Sequence, residues 1–187
     1  MDITLQNVSK SFGDKQVLEG VSHTFPQGEL TCVMGPSGCG KTTLLSLGLE
    51  AQDSGEILGM EGQKLSAVFQ EDRLCENTTP VSNIRLVNPS LSKAEAQGML
   101  RDLGLEGSLG QPVRTLSGGM KRRVAILRAL AADYDVLLCD EPFKGLDQAT
   151  KALVMGYFLG KTKGKTVILV THDQGEAETL GGHFLLL

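Results

Sequence analysis

The segment Gly35-Pro36-Ser37-Gly38-Cys39-Gly40-Lys41-Thr42-Thr43 directly follows the apolar run Leu30 to Met34, and constrains this chain more than any other stretch. It fits the pattern G-x-x-x-x-G-K-[ST], in which a strand runs into a glycine-rich turn and then a helix. The glycines let successive backbone N–H groups converge on one anion, and the helix N-terminus adds its partial positive charge. In that arrangement Lys41 bridges the outer phosphates of a nucleotide and Thr42 is a magnesium ligand. The feature fixes a strand–loop–helix unit with phosphate chemistry at its turn.

The rest of the composition narrows the class. At 187 residues the chain is expected to form one domain, large enough to bury roughly 70% of its unfolded surface without disulfides or structural metals. Eighteen basic against 22 acidic side chains give a net charge of −4, so no broad positive field favours nucleic acid or an anionic membrane. Cys32, Cys39, Cys75 and Cys139 show no C-x-x-C spacing. They suit small thiols in a reducing compartment rather than a zinc site. Cys39 lies inside the phosphate loop, where a thiol would make nucleotide binding sensitive to alkylation or oxidation. The N-terminus lacks a basic segment followed by an apolar run, and no 18 consecutive residues are apolar. A soluble protein whose membrane role needs a partner is the expectation.

Alternation from Asp2 to Val8 and from Gln16 to Phe25, with a turn at Phe12-Gly13-Asp14, predicts two antiparallel strands forming an N-terminal flap. Short apolar runs at Leu30 to Met34, Ala67 to Phe69, Val136 to Cys139 and Val167 to Val170 suit a mainly parallel sheet covered on both faces. Helices are expected at Lys41 to Leu49, Ser92 to Leu103, Gly118 to Ala131, Gln148 to Leu159 and Gln174 to Leu180, and a last core strand at Phe184 to Leu187. Residues 76–111 carry helix signals without a core-strand signal. They are expected to form a helical subdomain inserted between residues 1–75 and 112–187 of one α/β catalytic core. No repeat, heptad array or low-complexity tract is evident.

The phosphate loop alone fits a kinase, a GTPase or a transport ATPase, so other polar motifs must decide. The strand Val136 to Cys139 ends in Asp140-Glu141-Pro142 and carries two carboxylates to the sheet edge where the phosphate loop sits. Asp140 is the candidate holder of Mg²⁺ through its water shell, and Glu141 the candidate orienter of the water that attacks the γ-phosphorus. Taken alone, the same run also reads as a strand followed by a solvated acidic turn.

Together with Leu116-Ser117-Gly118-Gly119-Met120, these motifs resemble, across essentially the whole chain, the ATP-binding subunit of an ABC transporter. The fold so implied is a phosphate-loop NTPase core with an antiparallel flap and an inserted helical subdomain. Ser117 can cap the helix that follows, and Gly118 and Gly119 let its first N–H groups approach an anion. The resemblance implies that this helix end meets the γ-phosphate held by a second subunit, so that two chains enclose two ATP molecules. Gln70 matches the Q-loop glutamine, a contact to Mg²⁺ and water. Its sequel Glu71-Asp72-Arg73-Leu74 is weakly similar to importers of the nitrate, sulfonate and taurine group. His172 matches the switch histidine at the γ-phosphate, whereas His23 and His183 read as structural or solvated. Phe12 falls where the family stacks an aromatic ring on adenine; otherwise it packs beneath the hairpin. Asp147 matches the D-loop aspartate that communicates between the two sites.

Met120 stands where the signature usually has glutamine, and Lys144 and Gly145 stand where serine and alanine are usual. Sandwiching of ATP is expected to survive the first change, while coupling through the D-loop is less secured. From the length, no appended regulatory domain is expected. The expected function is that of an ATPase energising an ABC transporter of the importer type, with ATP and Mg²⁺ as cofactors. Its expected partners are a second copy of the chain, a transmembrane permease and a substrate-binding protein, but no nucleic acid. Its place is cytoplasmic, against the inner face of the membrane through the permease. The competing class is a non-transport ABC ATPase of repair or translation. The short interval between Lys41 and Ser117 has no heptads and so lacks the coiled coil of the DNA-maintenance members. A small-molecule kinase would leave Gln70, Ser117 and His172 unexplained.

Overall fold

The computed structural model describes residues 1–47 and 52–187. The chain runs β1 (Ile3–Phe12), β2 (Lys15–Phe25), β3 (Leu30–Met34), α1 (Lys41–Ser46), β4 (Ser54–Leu58) and β5 (Leu65–Val68). It continues with α2 (Pro80–Val87), α3 (Lys93–Asp102), α4 (Gly118–Ala131), β6 (Val136–Asp140), α5 (Gln148–Thr162), β7 (Thr166–Val170), α6 (Gln174–Leu180) and β8 (His183–Leu186). Two compact units emerge from its contacts. One comprises Met1–Leu65, Asp135–Glu141 and Lys163–Leu187; the other comprises Ser66–Tyr134 and Pro142–Thr162.

The first unit contains two sheets. An antiparallel sheet has the order β2-β1-β4, and a parallel run has the order β6-β7-β3-β8. Every residue of β6 and β7 is buried, as apolar runs without alternation require of strands covered on both faces. Helix α1 packs on β6 and β7. Side chains such as Phe25, Val33, Leu137 and Leu169 are essentially inaccessible to water. Each contributes about 2 kcal/mol by leaving it.

The predicted flap is present as β1 and β2, and a third strand, β4, joins it on the far side of β1. Nothing in Ser54-Gly55-Glu56-Ile57-Leu58 alternates clearly, so this strand was not expected. It depends on a bulge: Asn7 takes a φ of 51°, and the β1–β4 register shifts between Gln6 and Ser9. A β-carbon at Gly55 would lie 2.4 Å from the Asn7 carbonyl oxygen, so only glycine fits this approach.

The expected helix from Lys41 runs as α1 to Ser46; positions 48 and 49 of that expectation lie outside the described residues. The ranges of β3, α4 and α6 coincide with those expected.

The second unit is mainly helical. α2 was not singled out in the sequence, although Thr79-Pro80 is a helix start: the Thr79 hydroxyl accepts from Ser82 N–H and Pro80 fills the first helical position. Asn83, fully buried in α2, donates to the carbonyls of Cys75 and Thr79 and to the Thr78 hydroxyl, and accepts from Cys75 N–H. That amide closes the segment 75–79 onto the helix with its polar capacity used. A capping box between Ser92 and Glu95 starts α3. No helix among the described residues is long and apolar enough to cross a membrane.

Candidate active site

Parallel pairing fixes where the polar motifs of the first unit fall. Val33 of β3 and Asp140 of β6 both pair with Val170 of β7. The residues after each strand end, Gly35 onward, Glu141 and Thr171-His172, therefore emerge at one edge of the sheet. This is the carboxyl edge at which open α/β sheets bind ligands.

The phosphate loop leaves β3 with Pro36, Ser37 and Gly38 exposed and Cys39 half-buried, and then turns into α1. Gly40 is the helix N-cap, with a φ of 102°, and no side chain caps the first turn. A β-carbon at Gly40 would stand 2.7 Å from Leu18 Cδ2 and 2.9 Å from the Val17 carbonyl oxygen, whereas one at Gly38 would meet nothing within 4 Å. The loop is thus pressed onto β2 at one glycine and open at the other. Lys41 is 8% exposed, and its ammonium donates to the Gly35 and Pro36 carbonyls at 2.8 Å each, with Cys39 Sγ at 3.8 Å. Thr43 is half-buried in the same turn.

The Thr42 hydroxyl donates to Asp140 Oδ2 at 2.8 Å. This places a hydroxyl and a carboxylate side by side, the hard oxygen donors that suit magnesium. Among the described residues no cluster of three or more His, Cys, Asp or Glu side chains is placed to hold a metal. A cation at this pair would take its remaining ligands from phosphate and water, as magnesium commonly does.

Glu141 follows directly, with a φ of 46° and its N–H bonded to the Val170 carbonyl at 2.9 Å. Such a backbone is costly for a residue with a β-carbon, by about 1–3 kcal/mol, and clusters at functional sites. Its Oε1 lies 2.9 Å from His172 Nδ1. Around His172 the chain is tied on both sides, because the buried Thr171 hydroxyl donates to Glu176 Oε2 at 2.7 Å and accepts from Asp173 N–H at 3.1 Å. Two polar pairs, Thr42–Asp140 and Glu141–His172, thus stand side by side in sequence at the end of β6. Glu176 also helps raise the Cys32 thiol, which burial foremost pushes up to about 11. Phe12, at the end of β1, is 53% exposed, so its ring does not pack beneath the hairpin.

Gln70, Ser117, Gly118, Gly119 and Asp147 belong to the second unit. Gln70 is exposed just after β5. Ser117 caps α4, its hydroxyl accepting from Met120 N–H at 3.3 Å, and it is exposed together with Gly118. Asp147 holds the first turn of α5, accepting from Thr150 N–H at 3.0 Å and from the Thr150 hydroxyl at 2.6 Å; these bonds hold its carboxyl below the usual range. A helix-capping role therefore accompanies whatever else this aspartate does. Arg122, which carries no motif signal in the sequence, is a buried guanidinium of α4 that bonds to Phe69, Gln70, Asp72 and Pro142.

A phosphate loop with carboxylates at the carboxyl edge of a parallel sheet defines a nucleotide-triphosphatase core, and comparison with known proteins specifies which. Residues 18–144 match the family model described as ABC transporter. The chain belongs to that family, as an ATP-binding subunit of the ATPase kind. Over 99% of its length it is 39% identical to an aliphatic sulfonates import ATP-binding protein of Nocardia farcinica, of which it covers 77%. Over 98% it is 37% identical to a namesake from Agrobacterium fabrum, of which it covers 70%. A sulfate/thiosulfate import ATP-binding protein of Burkholderia mallei is 36% identical, and 60% of it is covered. Among solved structures, a dimeric ATP-binding cassette in a post-hydrolysis state with ADP and Pi bound matches at a TM-score of 0.86 and 29% identity, over 99% of this chain and 94% of the other. The expected fold of parallel core and antiparallel flap is thus found.

Proposed function

We propose that this chain binds and hydrolyses ATP to drive an importer, working as a pair of cassettes beneath a membrane permease at the cytoplasmic face and with a substrate-binding protein outside. The observation that carries the proposal is the two polar pairs, Thr42–Asp140 and Glu141–His172, at the strand ends of the sheet edge where the phosphate loop emerges. The names of its relatives make sulfur oxyanions, sulfonates or sulfate, the first cargo to test.

In this reading the loop N–H groups and the uncapped start of α1 receive the phosphates, and Lys41 turns its ammonium from the loop carbonyls to phosphate oxygens. Gly38 leaves room for that approach. Phe12 offers its exposed ring to adenine. Thr42 and Asp140 would hold Mg²⁺, which supplies charge neutralisation on the phosphates, and Gln70 takes the role of the family's glutamine contact to metal and water. Glu141 orients and polarises the attacking water, and His172 fixes the Glu141 carboxylate and meets the γ-phosphate. Ser117, Gly118 and Gly119 serve the nucleotide of the partner copy, so that closure of the pair precedes hydrolysis.

The test is Glu141→Gln in the purified protein. ATP binding is retained, turnover falls by at least about a hundredfold, and an ATP-dependent dimer accumulates in light scattering. A variant that hydrolyses ATP normally sinks the assignment of Glu141. Co-purification of a polytopic membrane protein with the tagged chain tests the permease, and recovery with a ribosome or DNA complex instead would overturn transport.

A further inference from the structure

Arg122 and Arg128 project from α4 onto the loop that follows β5. Arg122 is 4% exposed, and its guanidinium works in two directions. Nε donates to the Pro142 carbonyl at 2.8 Å, while Nη1 donates to the Phe69 carbonyl at 2.6 Å, to the Gln70 carbonyl at 3.3 Å and to Asp72 Oδ1 at 3.2 Å. Arg128 continues the pattern, donating to the carbonyls of Arg73 at 2.8 Å and Asp72 at 3.2 Å. Arg73 takes a φ of 44°, and its guanidinium lies 4.1 Å from the Phe69 ring centroid. The backbone from Phe69 to Arg73 is therefore held by the side chains of one helix, and that helix begins at Ser117.

A buried guanidinium is expensive to desolvate, and here its donors are spent on backbone carbonyls as much as on a carboxylate. A lysine could not span Pro142 and Phe69 together, because the planar fork is what reaches both. We propose that Arg122 is a positioning residue: it sets the backbone of Gln70 against α4, so that the glutamine and the Ser117 end of that helix move as one piece. The proposal rests on the reading of Gln70 as a contact to metal and water. Arg122 has no place among the proposed reacting groups, so its effect on catalysis is assigned to that loop, and exchange in β6 separates it from an effect through Pro142 beside Glu141.

The experiment measures Arg122→Met, Arg122→Lys, Gln70→Ala and the Arg122→Met/Gln70→Ala pair in the purified chain with ATP and magnesium. Arg122→Met is expected to raise amide hydrogen exchange of residues 69–73 by about tenfold or more, with exchange in β6 and β7 unchanged. It should lower kcat by about tenfold while KM for ATP shifts less than about twofold. Arg122→Lys, which keeps a charge and a donor, should fall between it and the parent and gives a reading should the methionine variant not fold. The double variant should be no slower than Gln70→Ala alone, since both act through one group. Unchanged exchange at 69–73 in both arginine variants, or losses that multiply in the double variant, overturns the proposal. A slow Gln70→Ala beside arginine variants with parental kcat overturns it while sparing the reading of Gln70. A Gln70→Ala variant with parental kcat removes that reading and the proposal with it.

Discussion

His172 Nδ1 lies 2.9 Å from Glu141 Oε1, across the ends of two parallel strands that pair at Asp140 and Val170. The contact joins the residue most strained in its backbone at this edge to one whose own flanks are tied by the Thr171 hydroxyl. Each then constrains the other, the defined separation that the roles proposed for them, a general base and its orienter, require.

If His172 acts by holding Glu141, removing either should cost nearly what removing both costs. His172→Ala is expected to lower kcat by about tenfold or more, and Glu141→Gln/His172→Ala to match Glu141→Gln within about threefold. Steady-state ATPase assays of the four proteins decide this; losses that multiply would make the two residues independent.

The Thr42–Asp140 pair predicts a metal phenotype. Asp140→Asn is expected to raise the magnesium concentration needed for half-maximal hydrolysis by about tenfold or more, and Thr42→Ala to do so less, because water can replace a hydroxyl better than an amide replaces a carboxylate. Titration of magnesium at fixed ATP is the measurement. Unchanged half-saturation in both variants would remove these residues from the metal site.

Gly40 and Gly38 should respond differently to alanine. At Gly40 a β-carbon meets Leu18 and Val17 and the φ is unfavourable, so Gly40→Ala should destabilise by about 2 kcal/mol or more. At Gly38 the φ of 82° also disfavours a side chain but the space is open, so Gly38→Ala should cost only that backbone strain, about 1 kcal/mol and less than at Gly40, while weakening nucleotide binding, because in the proposed site the methyl stands where phosphate oxygens approach. Urea unfolding and a nucleotide-binding titration separate the two effects.

Burial first, and the neighbouring His183 second, hold the pKa of His23 below the ordinary value of 6.5. The ring also stands edge-on to Phe25 at 4.7 Å, and His183 is itself bonded to Glu29. As pH falls through the ordinary histidine value, the unfolded chain takes up a proton that the folded chain still refuses. Stability present above that value is then lost on acidification. His23→Gln should flatten the decline of Tm between about pH 8 and pH 5.5 by a few degrees. An identical slope in parent and variant would assign the decline to other groups.

Legibility followed the kind of interaction that forms each element. β3, β6 and β7 are short apolar runs and α4 begins at a serine cap, so local pattern specified them almost to the residue. β4 is held by a bulge at Asn7 in another strand, a contact invisible in its own five residues. The motif residues of the first unit could be named because their spacing is characteristic. Arg122 could not: Lys121-Arg122-Arg123 reads as the solvated face of a helix, and only tertiary packing buries the middle one. Asp147 was legible as a motif residue, while its cap to Thr150 is also written locally, in the three-residue spacing.

The ammonium of Lys41, already enclosed by the carbonyls of Gly35 and Pro36, has surrendered most of its hydration before any nucleotide arrives. Recruiting it to a phosphate is then a trade of one set of oxygen acceptors for another, and the dehydration of a cation is not charged to the binding step. On the proposed reading a ligand must displace two carbonyls to win the amine, which the dense negative charge of a triphosphate favours. On that reading the loop would select for acceptor strength before shape is consulted.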